Sequence, residues 1–224
     1  MPVQKDLFQN VKGSSELNIS EWGTFKDSMK APVHRWFTYP AGFSFKAVEH
    51  SLSIHNLKKG NTIYDPFMGS ATTNLVAKVH GMNSVGVEPH PFVFDIAKAK
   101  MSWEISEKKV LETIEYISKN FQKYKKKILV KSFDLNDYFP PLVIACYEEK
   151  TLIDLLILKN IFAKKKLDLK ERLLIKTAIT SLLRGISSAS TGWPYIAPKK
   201  IKNSSLGKDV MQEFKKIILT MLED

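Results

Sequence analysis

Within nine positions the chain sets an acid, a glycine and three hydroxyls: Asp65-Pro66-Phe67-Met68-Gly69-Ser70-Ala71-Thr72-Thr73. Ile63 and Tyr64 ahead of it favour a strand, Pro66 ends the ladder by removing a donor, and Gly69 permits a tight turn. Ser70, Thr72 or Thr73 is placed to cap a helix running through Leu75-Val76-Ala77, which leaves backbone N–H groups for an anionic or polar ligand. A second apolar strand, Ser84-Val85-Gly86-Val87, ends on Glu88, 19 positions after Gly69. An acid about 20 residues after a glycine turn commonly holds ribose hydroxyls, and ligands of open α/β sheets bind beyond the carboxyl ends of the strands. The elements required to position these groups are therefore strand, turn, helix and strand, in that order.

The string Asp65–Thr73 resembles the Asp-Pro-Phe-x-Gly-Ser-Gly-Thr-Thr motif of the DNA amino-methyltransferases, which methylate adenine N6 or cytosine N4 with S-adenosylmethionine. Ala71 stands where that family usually has glycine, so a methyl group narrows the turn. The stretch Ala31–Ser44 is similar to the family's other cofactor segment, which closes over the methionine end. Trp22, Phe25, Trp36, Phe37, Tyr39, Phe43 and Phe45 supply the apolar walls that adenine and a methionine chain need. The resemblance runs from about Ala31 to Lys100, and more loosely beyond. It implies cofactor contacts from Tyr39, Phe43 and Ser44 in the lid, from Asp65, Pro66, Phe67, Gly69, Ser70, Thr72 and Thr73 in the turn, and from Glu88, Pro89 and His90 after the second strand. It also implies an α/β fold, a partial Rossmann-like methyltransferase sheet with a mainly helical C-terminal extension.

The same family needs an Asp, Asn or Ser followed by Pro-Pro and an aromatic residue at the end of another strand. That motif accepts the hydrogens of the flipped-out amine and stacks the base. Here the one Pro-Pro pair, Pro140-Pro141, lies between Phe139 and Leu142 and supplies neither acceptor nor ring. No catalytic residue is assigned. The resemblance thus implies the cofactor-binding part of a restriction-modification type enzyme, completed by a second polypeptide with the catalytic motif or by a missing C-terminal half, with duplex DNA as substrate. The alternatives are a methyltransferase for RNA or another acceptor, and a non-catalytic nucleic-acid-binding module.

At 224 residues with 44% hydrophobic and 25% charged residues, the composition is that of a soluble globular protein with a real core. The lone Cys146 rules out an internal disulfide framework, and the five scattered histidines show no paired ligand spacing, so no metal site is expected. No apolar run reaches the roughly 18 residues that span a bilayer, which points to a cytoplasmic protein without membrane attachment. The net charge of +11 is uneven: residues 1–90 hold 9 Lys and Arg against 7 Asp and Glu, residues 91–224 hold 25 against 16. The basic half suits a phosphate backbone.

Residues 1–30 read as an N-terminal arm, 31–130 as the S-adenosylmethionine-binding α/β domain, and 131–224 as a helical region suited to DNA recognition. A short helix is expected from Phe45 to Leu57. After Pro89-His90-Pro91 one helix is expected to begin near Phe92 or Asp95; Val110, Ile114, Ile117, Phe121 and Tyr124 mark it as long and amphipathic, its end crowded by Lys123 and Lys125–Lys127. Ile128-Leu129-Val130 is a candidate strand. Further helices are expected from Pro140-Pro141 through Phe162, over 168–184 and over 207–222. Between the last two, Ile186–Lys200 reads as an irregular loop whose Trp193 and Tyr195 could stack on bases, with Lys199, Lys200 and Lys202 on phosphates. Self-association is the other expected consequence of a sheet that lacks its later strands.

Overall fold

A computed structural model describes residues 22–128, 134–191, 196–201 and 206–224. The fold is mixed α/β, mostly helical, and divides into two compact units, residues 1–104 with 223–224 and residues 105–222. Among the described residues no helix is long and apolar enough to cross a membrane.

In the first unit, a 3-10 turn (His34–Trp36) is followed by α1 (Phe45–Ile54), β1 (Thr62–Asp65), α2 (Thr72–Val79), β2 (Asn83–Gly86) and α3 (Pro91–Met101). β1 and β2 pair in parallel with Tyr64 opposite Val85, and α2 is the crossover between them. Ile63 packs against a cluster of Ala31, Phe45, Val48, Leu52, Val76, Ala77 and Met82. The other face of the sheet is bare: Tyr64 is 63% exposed and Val85 54%. α1 starts at Ser44, whose hydroxyl accepts from the Lys46 amide and donates to Asp27, and α3 starts with Pro91 in its first turn, where a missing N–H costs nothing.

Two ionisable groups are buried beside that core. His34 is 1% exposed, its ring stacks on Phe45 with centroids 5.4 Å apart, and neither ring nitrogen has a hydrogen-bond partner. Burial, then the nearby Lys100 charge, lowers its pKa to about 3. Lys100 is pulled down to about 7 by burial. Both shifts disfavour protonation in the folded state. For His34, whose unfolded value is near 6.5, folded and unfolded chains are equally neutral above that pH. Below it only the unfolded chain gains a proton, so stability is lost as pH falls towards 3. For Lys100 the unfolded chain holds the extra proton between about 7 and 10.5, so stability rises with pH across that window. We predict that urea denaturation of His34→Phe and the parent protein will diverge below pH 6.5, the variant gaining about 1.4 kcal/mol per pH unit. A difference that stays constant between pH 7.5 and pH 4.5 would refute this.

In the second unit, α4 (Glu107–Ile128) buries Val110, Ile114, Ile117 and Phe121 of the expected stripe, and Tyr124 is half-buried. Lys125, from the basic end of α4, pairs at 2.8 Å with the buried Asp154, so at least this lysine of the cluster has a structural partner. A second 3-10 turn (Leu135–Asp137), α5 (Pro141–Ile144), α6 (Glu149–Lys164), α7 (Leu169–Ile186), β3 (Ala189–Thr191), β4 (Ile196–Ile201) and α8 (Val210–Glu223) complete it.

Three expectations need correction. The one long helix expected from Phe92 or Asp95 is two, α3 and α4, because the chain leaves the helix at Ser102 (φ −95°, ψ 89°) and a new helix begins at Glu107. The helix expected from Pro140-Pro141 through Phe162 is two helices, because the chain breaks after Ile144 and the Cys146 carbonyl accepts from the Ser188 amide at 3.0 Å and from the Ser187 hydroxyl at 3.0 Å. The stretch read as an irregular loop contains an antiparallel pair, β3 with β4, offset by an irregularity between Ala189 and Ser190. Among the described residues β3 and β4 pair only with each other, so both are edge strands, and an edge tolerates Pro198. The candidate strand at Ile128–Val130 falls at the end of α4 and on residues outside the described ones.

Candidate cofactor site

The corner between β1 and α2 is shaped by backbone geometry. Asp65 Oδ1 accepts from the Phe67 amide at 3.0 Å, which turns the chain at the strand end. The ladder continues past the formal strands: the Val87 amide donates to Asp65 O, and the Met68 amide to Val87 O, both at 3.0 Å. Glu88, the next residue, is thereby held beside the turn, and its Oε1 accepts from the His90 amide at 2.8 Å, which fixes the direction of the carboxylate. Gly69 adopts φ +52°, and a Cβ built there would lie 2.8 Å from Cε1 of Tyr39. The lid aromatic therefore rests on the glycine of the turn.

The helix cap differs from the expectation. None of Ser70, Thr72 or Thr73 caps α2, because Ala71 occupies the N-cap position in the left-handed conformation (φ 68°, ψ 35°) and has no oxygen to offer. This is a conformation that glycine adopts without cost, which accounts for the glycine in the motif this string resembles. Ser70 Oγ and Asn74 Oδ1 are buried at the corner and make no hydrogen bond within the protein. Two buried polar atoms without partners, beside a glycine cradle, fit a polar ligand seated on this turn.

The expected residues separate into two groups. Tyr39, Asp65, Pro66, Phe67, Gly69, Ser70, Thr72, Thr73 and Glu88 converge on or beside the corner, while Phe67 leaves its ring 87% exposed. Pro89 and His90 lead into α3, where the His90 ring sits edge-on to Phe92, which in turn meets Phe37 of the lid. Ser44 and Phe43 make their hydrogen bonds elsewhere: the Ser44 amide donates to Trp22 O, and the Ser28 hydroxyl to Phe43 O. Asn74 was not singled out from sequence, since an asparagine inside a helical run carries no marker. Met68 was missed as the variable position of the motif; a Cβ on Gly86 would lie 2.4 Å from its sulfur, so the two are mutually packed.

Among the basic-half residues, Lys199 and Lys200 belong to β4, while Trp193, Tyr195 and Lys202 lie outside the described residues. Among the described residues no group of His, Cys, Asp and Glu could hold a metal ion.

Residues 5–99 match the DNA methylase family. The resemblance to S-adenosylmethionine-dependent DNA amino-methyltransferases read from Asp65–Thr73 is thus independently supported. The chain is similar over its whole length to the type II methyltransferase M.BsoBI of Geobacillus stearothermophilus, with 25% identity and 43% of that protein covered. It is also similar to the type II methyltransferase M.MjaII of Methanocaldococcus jannaschii, with 37% identity over 93 residues, 41% of this chain and 17% of that protein. The chain spans less than half the length of these relatives. No solved structure matches it.

Proposed function

We propose that this chain is the S-adenosylmethionine-binding part of a DNA amino-methyltransferase of the restriction-modification type, acting on an exocyclic amine of adenine or cytosine. The observation that carries the reading is the corner itself: a left-handed Gly69–Ala71 turn between parallel strands, roofed by Tyr39 and flanked by Glu88, inside the stretch that matches the DNA methylase family. On this reading the two-stranded parallel sheet is the start of a Rossmann-like sheet.

The cofactor supplies an electrophilic methyl group. Everything else is positioning by the chain. The Glu88 carboxylate accepts from the ribose hydroxyls, the first turn of α2 and the buried Ser70 Oγ and Asn74 Oδ1 meet the polar groups of the methionine end, and Tyr39 covers them against water. Phe67, largely exposed, is available to a ring of the cofactor. The acceptor amine is oriented by a Pro-Pro-aromatic motif from a second polypeptide or from further chain. Pro140-Pro141 does not serve, since Pro141 opens α5 instead of following a strand. The match to the DNA methylase family favours DNA as substrate, duplex DNA on this reading, and the basic half, with Lys199, Lys200 and Lys202, together with Trp193 and Tyr195, is the part offered to it.

Calorimetry on Glu88→Ala tests the cofactor site. Losing one or two charge-assisted hydrogen bonds at about 1.5–3 kcal/mol each should weaken S-adenosylmethionine binding at least about tenfold. Unchanged affinity would remove Glu88 from the site and the reading with it.

A further inference from the structure

Among the described residues Lys100 is one of the largest fully buried side chains, at 1% exposure, and its hydrogen bonds go to two carbonyl oxygens, His34 O at 3.0 Å and Phe37 O at 3.4 Å. Its ammonium also lies 5.6 Å from the centre of the Phe25 ring. Lysine is among the residues least often fully buried, and taking an ammonium out of water is costly when its partners are neutral. A methionine of similar length would fill the same space without that cost. What methionine lacks is the ability to hold two carbonyls at once.

Those carbonyls bracket the turn that opens the lid. The same turn is held from its amide side by the Asp224 carboxylate, which accepts from the Val33 amide at 3.0 Å, the Trp36 indole at 3.0 Å and the Arg35 guanidinium. Val33 sits at φ 60°, a conformation a β-branched residue takes only under constraint. N–H donors from Lys100 on the carbonyl side and a carboxylate acceptor on the amide side satisfy the turn from both ends. Two residues after Phe37 comes Tyr39, resting on Gly69. Lys100 itself belongs to α3, the helix that begins directly after Glu88-Pro89-His90.

We propose that Lys100 is a positioning residue for cofactor binding: by holding His34 O and Phe37 O it sets the approach of Tyr39 to the Gly69 turn, without touching the cofactor. This rests on the cofactor assignment above. Because Asp224 still anchors the other side of the turn, loss of the Lys100 ammonium should loosen the lid rather than unfold it.

The test is a double-mutant cycle read by S-adenosylmethionine calorimetry on the parent, Lys100→Met, Tyr39→Ala and the double variant, with Glu88→Ala alongside. Lys100→Met should bind about tenfold more weakly, and the double variant no more weakly than the worse single one, since Lys100 acts through Tyr39. A buried lysine with a merely structural role would lower affinity by the same factor in both backgrounds, and that result overturns the proposal. So does parental affinity in Lys100→Met while Glu88→Ala is weakened, which leaves the cofactor assignment standing. Absence of binding by the parent protein overturns both. If Lys100→Met lacks a cooperative melt, Lys100→Leu, which likewise has no N–H donor, takes its place and is judged by the same criteria.

Discussion

Purified alone, the 224-residue chain is expected to bind S-adenosylmethionine and transfer no measurable methyl group to duplex DNA. Transfer should appear when a second polypeptide carrying Asp, Asn or Ser followed by Pro-Pro and an aromatic residue is added. The reason is chemical. The lone pair of an exocyclic amine is conjugated with its ring, so the amine attacks only when the base is taken from the stack and its hydrogens are accepted by an oriented oxygen. Orientation of that kind is worth roughly 7–11 kcal/mol, a factor of about 10⁵ or more in rate. The one Pro-Pro pair of this chain, at Pro140-Pro141, opens a four-residue helix and has leucine where the aromatic belongs. A radiolabel assay decides the matter: methyl transfer by the chain alone, proportional to its concentration and abolished by Asp65→Ala, would show that no second motif is required.

The next largest effect is expected at Gly69. Its φ of +52° strains any other residue, and a Cβ there meets Tyr39 at 2.8 Å, so valine adds strain and steric overlap at one point. The turn then opens or Tyr39 swings away, and either change dismantles the pocket. We expect Gly69→Val to lose at least about 100-fold in S-adenosylmethionine affinity, roughly 3 kcal/mol. Gly185→Ala is the control, because nothing lies within 4 Å of a Cβ at that position of α7 and alanine favours the helix. Parental affinity in Gly69→Val, or an equal loss in Gly185→Ala, would show that the turn does not make the site.

The β1–α2–β2 corner was legible because its signals are local: β-formers before Asp65, a glycine at the turn, and an apolar helical run after it. The stripe of α4 was legible for the same reason, a period carried by five apolar side chains. What escaped depends on distant partners. The break after Ile144 is fixed by hydrogen bonds from Ser187 and Ser188 to the Cys146 carbonyl, some 40 positions away, and no helix propensity announces it. The β3–β4 ribbon was hidden by Pro198 and the Lys199-Lys200 pair, which read as loop. Lys100 and His34 were unremarkable as letters, since burial of a lysine follows from the His34 and Phe37 carbonyls that meet it. Ala71 was recognised as a departure from the motif, yet its left-handed backbone, and hence the absence of a side-chain cap, belongs to the turn as a whole.

One face of the β1–β2 sheet carries Tyr64 and Val85 into solvent, although parallel sheets are ordinarily covered on both sides. Such a surface is what holdase chaperones and quality-control proteases read on a nascent or unassembled chain. On the proposed reading, in which a second polypeptide or further chain completes the sheet, the amount of this protein in a cell would follow the supply of that cover, with the uncovered excess cleared. Its dosage would then be set after translation, by turnover of the uncovered fraction.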